Sequence, residues 1–127
     1  MIKHVLHTDR APRAIGPYSQ GLATEHLVFV SGQIGLDPQS GQLIAGGIGP
    51  ETEQALKNIA AILESGGLSF DNVVRTTIYL ADLNDFSKVN EIYGRHVISP
   101  FPARATVGVA ALPRAARVEI DAIAVRR

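Results

Sequence analysis

Two segments near the carboxyl end of the chain decide the fold: Pro102-Ala-Arg-Ala-Thr-Val107 and, after a short break, Arg117-Val-Glu-Ile120. In both, apolar residues alternate with polar or small ones, which is the period-two pattern of a β-strand. The proline ends whatever precedes the first segment, because it has no N–H to donate and restricts the residue before it. We therefore predict two strands, which carry Arg104 and Glu119 within otherwise hydrophobic β-structure.

The residues between these strands, 112–116, have the composition of a turn, so a hairpin is the simplest arrangement. If Ala111 opposes Arg117, then Arg104 and Glu119 share one face of the sheet. They stand about five residue positions apart, or about 17 Å, which one small substrate cannot bridge. Either a bulge offsets the register or a neighbouring subunit completes the site, and the second option is the more economical. Two solvated charges on an exposed face are the alternative.

The rest of the chain reads as β-β-β-α-β-α before these two strands. The first helix has Pro50 at its first position, a stripe of apolar residues at helical spacing, and glycines after Ser65 that end it. The second helix begins after the capping segment 82–85 and presents another apolar stripe, made of Phe86, Val89, Ile92, Tyr93 and Val97. The remaining strands are predicted over residues 2–7, 18–23, 27–34 and 72–80, with Ser31-Gly32 marking a bulge or a close backbone approach.

Two amphipathic helices and mostly antiparallel strands predict an α+β domain of two layers, with both helices on one face of the sheet. The other face is predicted to be mixed in character, with Arg104, Thr106, Gly108, Thr77 and Tyr79 beside the apolar Ile123 and Val125. Such a face is too apolar to be simply solvated. We therefore expect it to pack against another copy of the chain.

The length of 127 residues indicates one domain, spanning 1–127. The 12 basic and 12 acidic side chains balance, so no overall charge draws the protein to nucleic acid or to a membrane. The sequence has no cysteine, which excludes disulfides and thiolate chemistry. The amino-terminal residues do not resemble a signal peptide and no apolar run is long enough to span a bilayer. A soluble, cytoplasmic protein is expected.

Other kinds of site are poorly supported. The four histidines are scattered, so no metal site is predicted. The glycine-rich segment 46–49 lacks the lysine and Ser/Thr of a phosphate-binding loop. Ser31 lacks the context of a hydrolase nucleophile, and the basic residues form no aromatic-containing patch for nucleic acid. By contrast, arginine binds carboxylates in bidentate fashion and glutamate can activate water, so Arg104 and Glu119 suit the addition of water to a small carboxylate-bearing substrate.

The sequence resembles the Rid family (reactive intermediate deaminases, also called the YjgF family) along nearly its whole length. The resemblance is carried by separate blocks in the right order, which are Ala14-Ile-Gly-Pro-Tyr-Ser-Gln-Gly21, Val30-Ser-Gly-Gln-Ile34, Thr52-Glu-Gln-Ala-Leu-Lys-Asn-Ile59, Leu83-Asn-Asp-Phe-Ser-Lys-Val-Asn90, Phe101-Pro-Ala-Arg-Ala-Thr-Val107 and Val118-Glu-Ile-Asp-Ala-Ile-Ala-Val125. It implies a chorismate-mutase-like fold and a homotrimer with sites in the clefts between subunits. It implies no cofactor.

The resemblance also implies an activity, the hydrolysis of 2-aminoacrylate and related enamines or imines to 2-oxo acids and ammonia. Arg104 would hold the substrate carboxylate and Glu119 would position the attacking water. Tyr18 would line the cleft from the adjacent subunit, and the backbone at Ser31-Gly32 together with Asn90 would complete the pocket.

One position departs from the pattern of many family members. They carry cysteine two residues after the arginine, where this chain has Thr106. A mechanism that used a thiol nucleophile would leave this protein inactive, whereas a backbone contact at that position would tolerate threonine. Two alternatives to the deaminase stay open. One is a non-catalytic trimer that binds small carboxylates, and the other is a ribonuclease or translation inhibitor, which the balanced charge disfavours.

Overall fold

A computed structural model describes residues 1–126, which form one mixed sheet and two α-helices. The strands are β1 (His4–Leu6), β2 (Gly21–Ala23), β3 (Leu27–Gln33), β4 (Val73–Leu80), β5 (Ala103–Gly108) and β6 (Val118–Val125), and the helices are α1 (Ile48–Ser65) and α2 (Phe86–Tyr93). The predicted order of elements is confirmed. α1 begins two residues before Pro50, which was predicted to be its first residue.

The sheet has six strands in the spatial order β1-β2-β3-β6-β4-β5. All neighbours are antiparallel except β4 and β5, which run parallel at one edge. Both helices contribute to a single core with one face of the sheet, so the predicted two-layer α+β architecture is confirmed. Within residues 1–126, neither helix combines the length and the apolar character that crossing a membrane requires.

The predicted hairpin of the last two strands is wrong. β5 pairs only with β4, and β4 lies between β5 and β6, so that Arg104 opposes Thr76 while Glu119 opposes Tyr79. The segment 109–117 therefore carries the chain past β4 instead of turning tightly. The strand beside β5 is β4, and the two run parallel, so no short turn can join them. β6 is not a neighbour of β5 in the sheet.

The predicted face of β5 is also wrong. Residues directly opposite each other in a ladder share a face, and Thr76, the partner of Arg104, is buried under the helices. Arg104, Thr106 and Gly108 thus lie on the helix side of the sheet. On the free side lie Ala105 and Val107 of β5, with Thr77, Tyr79, Ile123 and Val125 as predicted. Arg104 and Glu119 consequently lie on opposite faces of the same sheet.

The core is formed by the apolar stripe of α1 and the inward residues of the central strands. The fully buried aliphatic side chains include Leu56, Ile59, Ile62 and Leu63 from α1, with Ile78, Leu80, Val118 and Ile120 from β4 and β6. Burying each such side chain is worth about 1.5–3 kcal/mol relative to exposure. This core keeps β6, the strand of Glu119, fixed in the middle of the sheet.

An ion pair with a buried carboxylate joins the start of α1 to the residue just before β6. The side chain of Glu51 is fully buried, and its carboxylate accepts hydrogen bonds from the backbone N–H of Arg117 at 2.8 Å and from the Arg117 guanidinium at 2.6 Å. The helix can approach this closely because Gly35 has no side chain, and a Cβ there would lie 2.8 Å from the backbone of Glu51. Loss of the Arg117 side chain would leave the buried carboxylate of Glu51 without its partner and would strongly destabilise the fold. The pair therefore constrains the segment that precedes Glu119.

We expect Leu56→Ala to lower the free energy of unfolding by about 2–5 kcal/mol, because it leaves a cavity beneath the sheet. Lys57→Ala is the matched control, since it removes an exposed side chain from the same helix. Urea denaturation at one fixed protein concentration measures both. Equal losses for the two variants would contradict the assigned face of α1.

Candidate active site

Arg104 is the centre of a first group of residues, which we call the arginine cluster: Phe86, Asn90, Tyr93, Arg104 and Thr106. The guanidinium donates a hydrogen bond of 2.7 Å to the side-chain oxygen of Asn90. Its carbon lies 5.6 Å from the ring centre of Phe86 and 5.1 Å from that of Tyr93, which are cation–π distances. The chain thus orients the guanidinium with an amide and two aromatic rings, and no carboxylate of the cluster neutralises it.

The arginine cluster borders an open cavity of about 420 Å³. Its wall includes Asn90, Tyr93 and Arg104, with Phe101 and Pro102 from the segment that leads into β5. Tyr93 is itself held by a hydrogen bond of 2.8 Å between its hydroxyl and that of Thr76. Because arginine presents several N–H donors in a planar fork, the cavity suits a ligand that carries a carboxylate.

Thr106 follows Arg104 on the same face of β5, and its hydroxyl is unusual. The oxygen is buried, yet it has no hydrogen-bond partner among residues 1–126. Buried hydroxyls almost always find a partner, because an unmade hydrogen bond costs free energy. This buried hydroxyl without a partner therefore carries a free-energy cost in the described part of the chain.

Glu119 is the centre of a second group, which we call the glutamate cluster: Tyr18, Ser31, Gly32 and Glu119. The carboxylate of Glu119 lies directly against Gly32, where a Cβ atom would lie 2.9 Å from the carboxyl carbon and closer still to one oxygen. β3 has a bulge between Val30 and Gln33, which brings Gly32 to this position. The expected irregularity at Ser31-Gly32 is thereby confirmed, and its reason is the close approach of a side chain.

The other two members of the glutamate cluster have distinct environments. The hydroxyl of Ser31 donates a hydrogen bond of 2.6 Å to the carbonyl of Ser19, so it ties β3 to the segment before β2. Tyr18 is about half exposed, and its hydroxyl accepts a weak hydrogen bond from the backbone N–H of Ile15 at 3.5 Å. Tyr18, Gly32 and Glu119 all border a second cavity, of about 480 Å³.

The environment of Glu119 favours its protonated form. Partial burial raises the pKa of Glu119, and the negative charge of Asp121, on the same face of β6, raises it further. Asp121 in turn accepts a hydrogen bond of 3.0 Å from the hydroxyl of Tyr79, and this bond raises the pKa of the tyrosine. A carboxyl group with a raised pKa is a better proton acceptor near neutral pH.

The structure separates the sequence-predicted site residues into these two clusters. Arg104, Asn90 and Thr106 lie together on the helix side, whereas Tyr18, Ser31, Gly32 and Glu119 lie together on the other side. Sequence analysis assigned Phe86 and Tyr93 only to the apolar stripe of α2. Phe86, Asn90 and Tyr93 are spaced at i, i+4 and i+7, which places all three on one helix face. This spacing was the sequence signal that could have identified the two aromatic residues as part of the site.

The fold and the two clusters define a class of small α+β domains that offer an arginine for a carboxylate and a glutamate with a raised pKa. The family model described as endoribonuclease L-PSP matches residues 8–126. The chain is 53% identical to human 2-iminobutanoate/2-iminopropanoate deaminase over 126 residues, which covers 99% of this chain and 92% of that protein. The chain belongs to the Rid (YjgF) family.

Solved structures agree with this assignment. The structure of the Rid-family protein YyfA from Yersinia pestis matches with a TM-score of 0.95 and 44% identity, covering 98% of this chain and 100% of that one. TdcF of E. coli, solved with bound serine, matches with a TM-score of 0.92 and 41% identity, covering 98% and 99% of the two chains. The implied family fold is thus confirmed.

The raised pKa of Glu119 gives a test that does not require activity. Asp121→Asn removes the second cause of the shift while leaving the burial, so the pKa of Glu119 should fall but stay above that of an ordinary glutamate. The carboxyl carbon resonance of Glu119, followed by NMR against pH, measures this change. Asp9→Asn, at an exposed carboxylate that does not contribute to the shift, should leave it unaltered. An unchanged titration in Asp121→Asn would refute the coupling.

Proposed function

We propose that this protein hydrolyses reactive 2-imino acids and their enamine tautomers, of the 2-iminobutanoate and 2-aminoacrylate type, to 2-oxo acids and ammonia. The observation that carries the proposal is that one chain has both an arginine suited to bind a carboxylate and a glutamate suited to accept a proton, each at its own open cavity. The human relative, 53% identical, is named for this activity on 2-iminobutanoate and 2-iminopropanoate. Bound serine in TdcF supports a site that accepts a small amino-acid skeleton.

The chemistry requires a positioned water and one group that moves a proton. Arg104 binds the substrate carboxylate and so fixes the position of the adjacent C=N carbon. Glu119 accepts a proton from water as the oxygen bonds to that carbon, and passes this proton to the imine nitrogen to give a tetrahedral adduct with one hydroxyl and one amino group. Glu119 then accepts the proton of the hydroxyl and passes it to the amino nitrogen while the C–N bond breaks, which leaves a 2-oxo acid and ammonia. Orientation and general acid–base catalysis of about 10²–10⁴-fold suffice for an imine that already hydrolyses in water.

We further propose that each site lies between two subunits of a homotrimer. Arg104 and Glu119 cannot meet within one chain, because they lie on opposite faces of the sheet. In the proposed trimer, the arginine cluster of one subunit faces the glutamate cluster of the next.

Exposed apolar side chains also support the assembly. Phe29, Val107 and Val125 lie on the free face of the sheet and are each about two-fifths exposed, and Phe101 beside the arginine cluster is 67% exposed. Large exposed apolar side chains of this kind favour protein–protein contact. The closed symmetry of a trimer places the free faces of the three sheets against one another.

We also propose where in the cell this protein acts. Enamines released by pyridoxal-phosphate dehydratases are short-lived, so a deaminase must be present where they form. We place the protein in the cytoplasm, where it removes damaging metabolites.

Non-catalytic binding of small carboxylates is the second candidate function, favoured by the bound serine of TdcF. The zero formal net charge disfavours ribonuclease activity.

A coupled assay tests the activity. A serine/threonine dehydratase generates the enamine, and the appearance of the 2-oxo acid is followed with and without this protein. We expect acceleration that falls about 10–100-fold in kcat/KM in Arg104→Ala, because a charge-assisted hydrogen-bonded pair is lost, and about 100-fold or more in kcat in Glu119→Gln. Arg95→Ala is the control, at an exposed arginine that pairs with Glu91.

Mixing the two inactive variants tests the shared site. Co-expressed in equal amounts with different tags, Arg104→Ala and Glu119→Gln chains should form mixed trimers, and in each cyclic trimer that contains both chains about one third of the clefts hold both intact groups. Mixed trimers purified through both tags should therefore recover about one third of the wild-type rate. No recovery from verified mixed trimers would place the site within one chain. No acceleration by the wild-type trimer would instead favour the carboxylate-binding alternative.

Gly32→Ala tests the contact that positions Glu119. The added methyl group would overlap the carboxylate, so we expect at least about a tenfold loss of kcat through misplacement of the proton acceptor. Gly49→Ala is the matched control, because a Cβ there meets only ordinary contacts of 3.7 and 3.8 Å. If the activities of both variants stay at the wild-type level, the contact between Gly32 and Glu119 does not position the base.

A further inference from the structure

The cavity of the glutamate cluster extends well beyond Glu119. It has a volume of about 480 Å³, and its lining also includes Arg13, Pro38, Gln39, Ser40 and Arg114. This volume falls within the range of pockets that hold sizeable ligands, about 300–1,000 Å³. It exceeds what a three- or four-carbon imino acid fills, so a longer substrate side chain has room.

Positive side chains outnumber negative ones in this lining. Arg13 and Arg114 are the basic residues of the lining, and Glu119 is its one carboxylate among residues 1–126. Neither arginine forms an ion pair within that part of the chain, whereas most other arginines with exposed side chains there do, including Arg10, Arg95 and Arg117. Two guanidinium groups without a counter-charge beside a cavity favour an anionic ligand.

Arg114 is held in an uncommon backbone conformation. Its φ is 61° and that of Ala115 is 56°, so two successive non-glycine residues are left-handed. Such conformations cost free energy and persist where the surrounding structure requires them, frequently at ligand sites. The strained turn connects β5 with β6 and reaches the cavity a few residues before Glu119.

The guanidinium of Arg114 is anchored at one point. One of its terminal nitrogens donates a hydrogen bond of 2.6 Å to the carbonyl of Gly41. The loop of Gly41 is itself internally bonded, because Gly41 donates to the carbonyl of Asp37 at 2.8 Å and Asp37 donates to that of Gln42 at 2.9 Å. A guanidinium has five N–H donors, so this anchor leaves donors for a ligand.

We propose that Arg114, assisted by Arg13, forms a second anion subsite that admits 2-imino acids whose side chain ends in a carboxylate. The substrate class is the imines of four- and five-carbon dicarboxylic acids, beside the alkyl imines. This inference rests on the proposed function: with the reacting carbon at Glu119, the side chain extends toward Arg114. The same hydrolysis applies, with one water consumed and one ammonia released. The supplying reaction is a two-electron oxidation of an acidic amino acid.

Imines generated during the assay test the subsite. D-Aspartate oxidase with catalase produces 2-iminosuccinate and 2-iminoglutarate from the D-amino acids, and D-amino-acid oxidase produces 2-iminobutanoate. Residual imine is trapped with semicarbazide. We expect Arg114→Gln to lower the ratio of kcat/KM for the dicarboxylic imines over 2-iminobutanoate by about tenfold or more, mainly through KM, because a charged hydrogen bond is lost. Arg95→Gln is the control and should leave the ratio unchanged.

A second variant separates binding from folding. Arg114→Asn also removes the charge, but asparagine tolerates the left-handed conformation, so this variant should fold at least as well as the parent. It should show the same loss of selectivity. A ratio that stays within about twofold of the wild-type value in Arg114→Asn and in the Arg13→Gln/Arg114→Asn double variant would overturn the subsite.

Binding of stable products keeps this test independent of the proposed function. If the wild-type protein does not accelerate hydrolysis of 2-iminobutanoate, the proposed function fails, and the subsite is judged by calorimetry alone. 2-Oxoglutarate should then bind more tightly than 2-oxobutanoate, with an advantage that Arg114→Asn reduces about tenfold. Equal binding of the two oxo acids to the wild-type protein would overturn the subsite.

Discussion

The insertion of β4 between β5 and β6 determines on which face of the sheet Arg104 and Glu119 lie. Residues opposite each other in a ladder share a face. A side chain of β5 or β6 therefore points to the same face as its partner on β4. Arg104 opposes a residue that the helices bury, and Glu119 opposes Tyr79 on the free side. One sheet therefore carries the proposed carboxylate-binding group on one side and the proposed proton acceptor on the other.

Each group is then held by a different set of contacts. The guanidinium of Arg104 lies against the rings and the amide of α2. Glu119 lies against the bulge of β3, and the strand that carries it is tied to α1 by the buried pair of Glu51 and Arg117. The pKa of Glu119 is raised by burial and by Asp121. Orientation on one side and electrostatics on the other together account for the chemistry we propose.

Local patterns in the sequence predicted the elements and their order, since alternation, helical spacing and turn residues are local properties. They failed at the pairing of β5 with β6, because two strands joined by a short segment resemble a hairpin, and nothing nearby in the sequence reports a strand inserted between them. The wrong face of β5 followed from the same cause. The membership of the site residues came from family resemblance, but their division into two clusters required the sheet order. The left-handed backbone of Arg114 was likewise hidden, because arginine carries no signal for it.

The separate supports of Arg104 and Glu119 have an evolutionary consequence. A change at Phe86 or Asn90 alters how the guanidinium is presented without disturbing the backbone under Glu119. A change in the bulge of β3 has the converse effect. Descendants of such a domain are able to acquire new ligands while retaining the same proton-handling group, or to lose that group and remain binding proteins. One scaffold therefore accommodates divergent lineages with little alteration of its core.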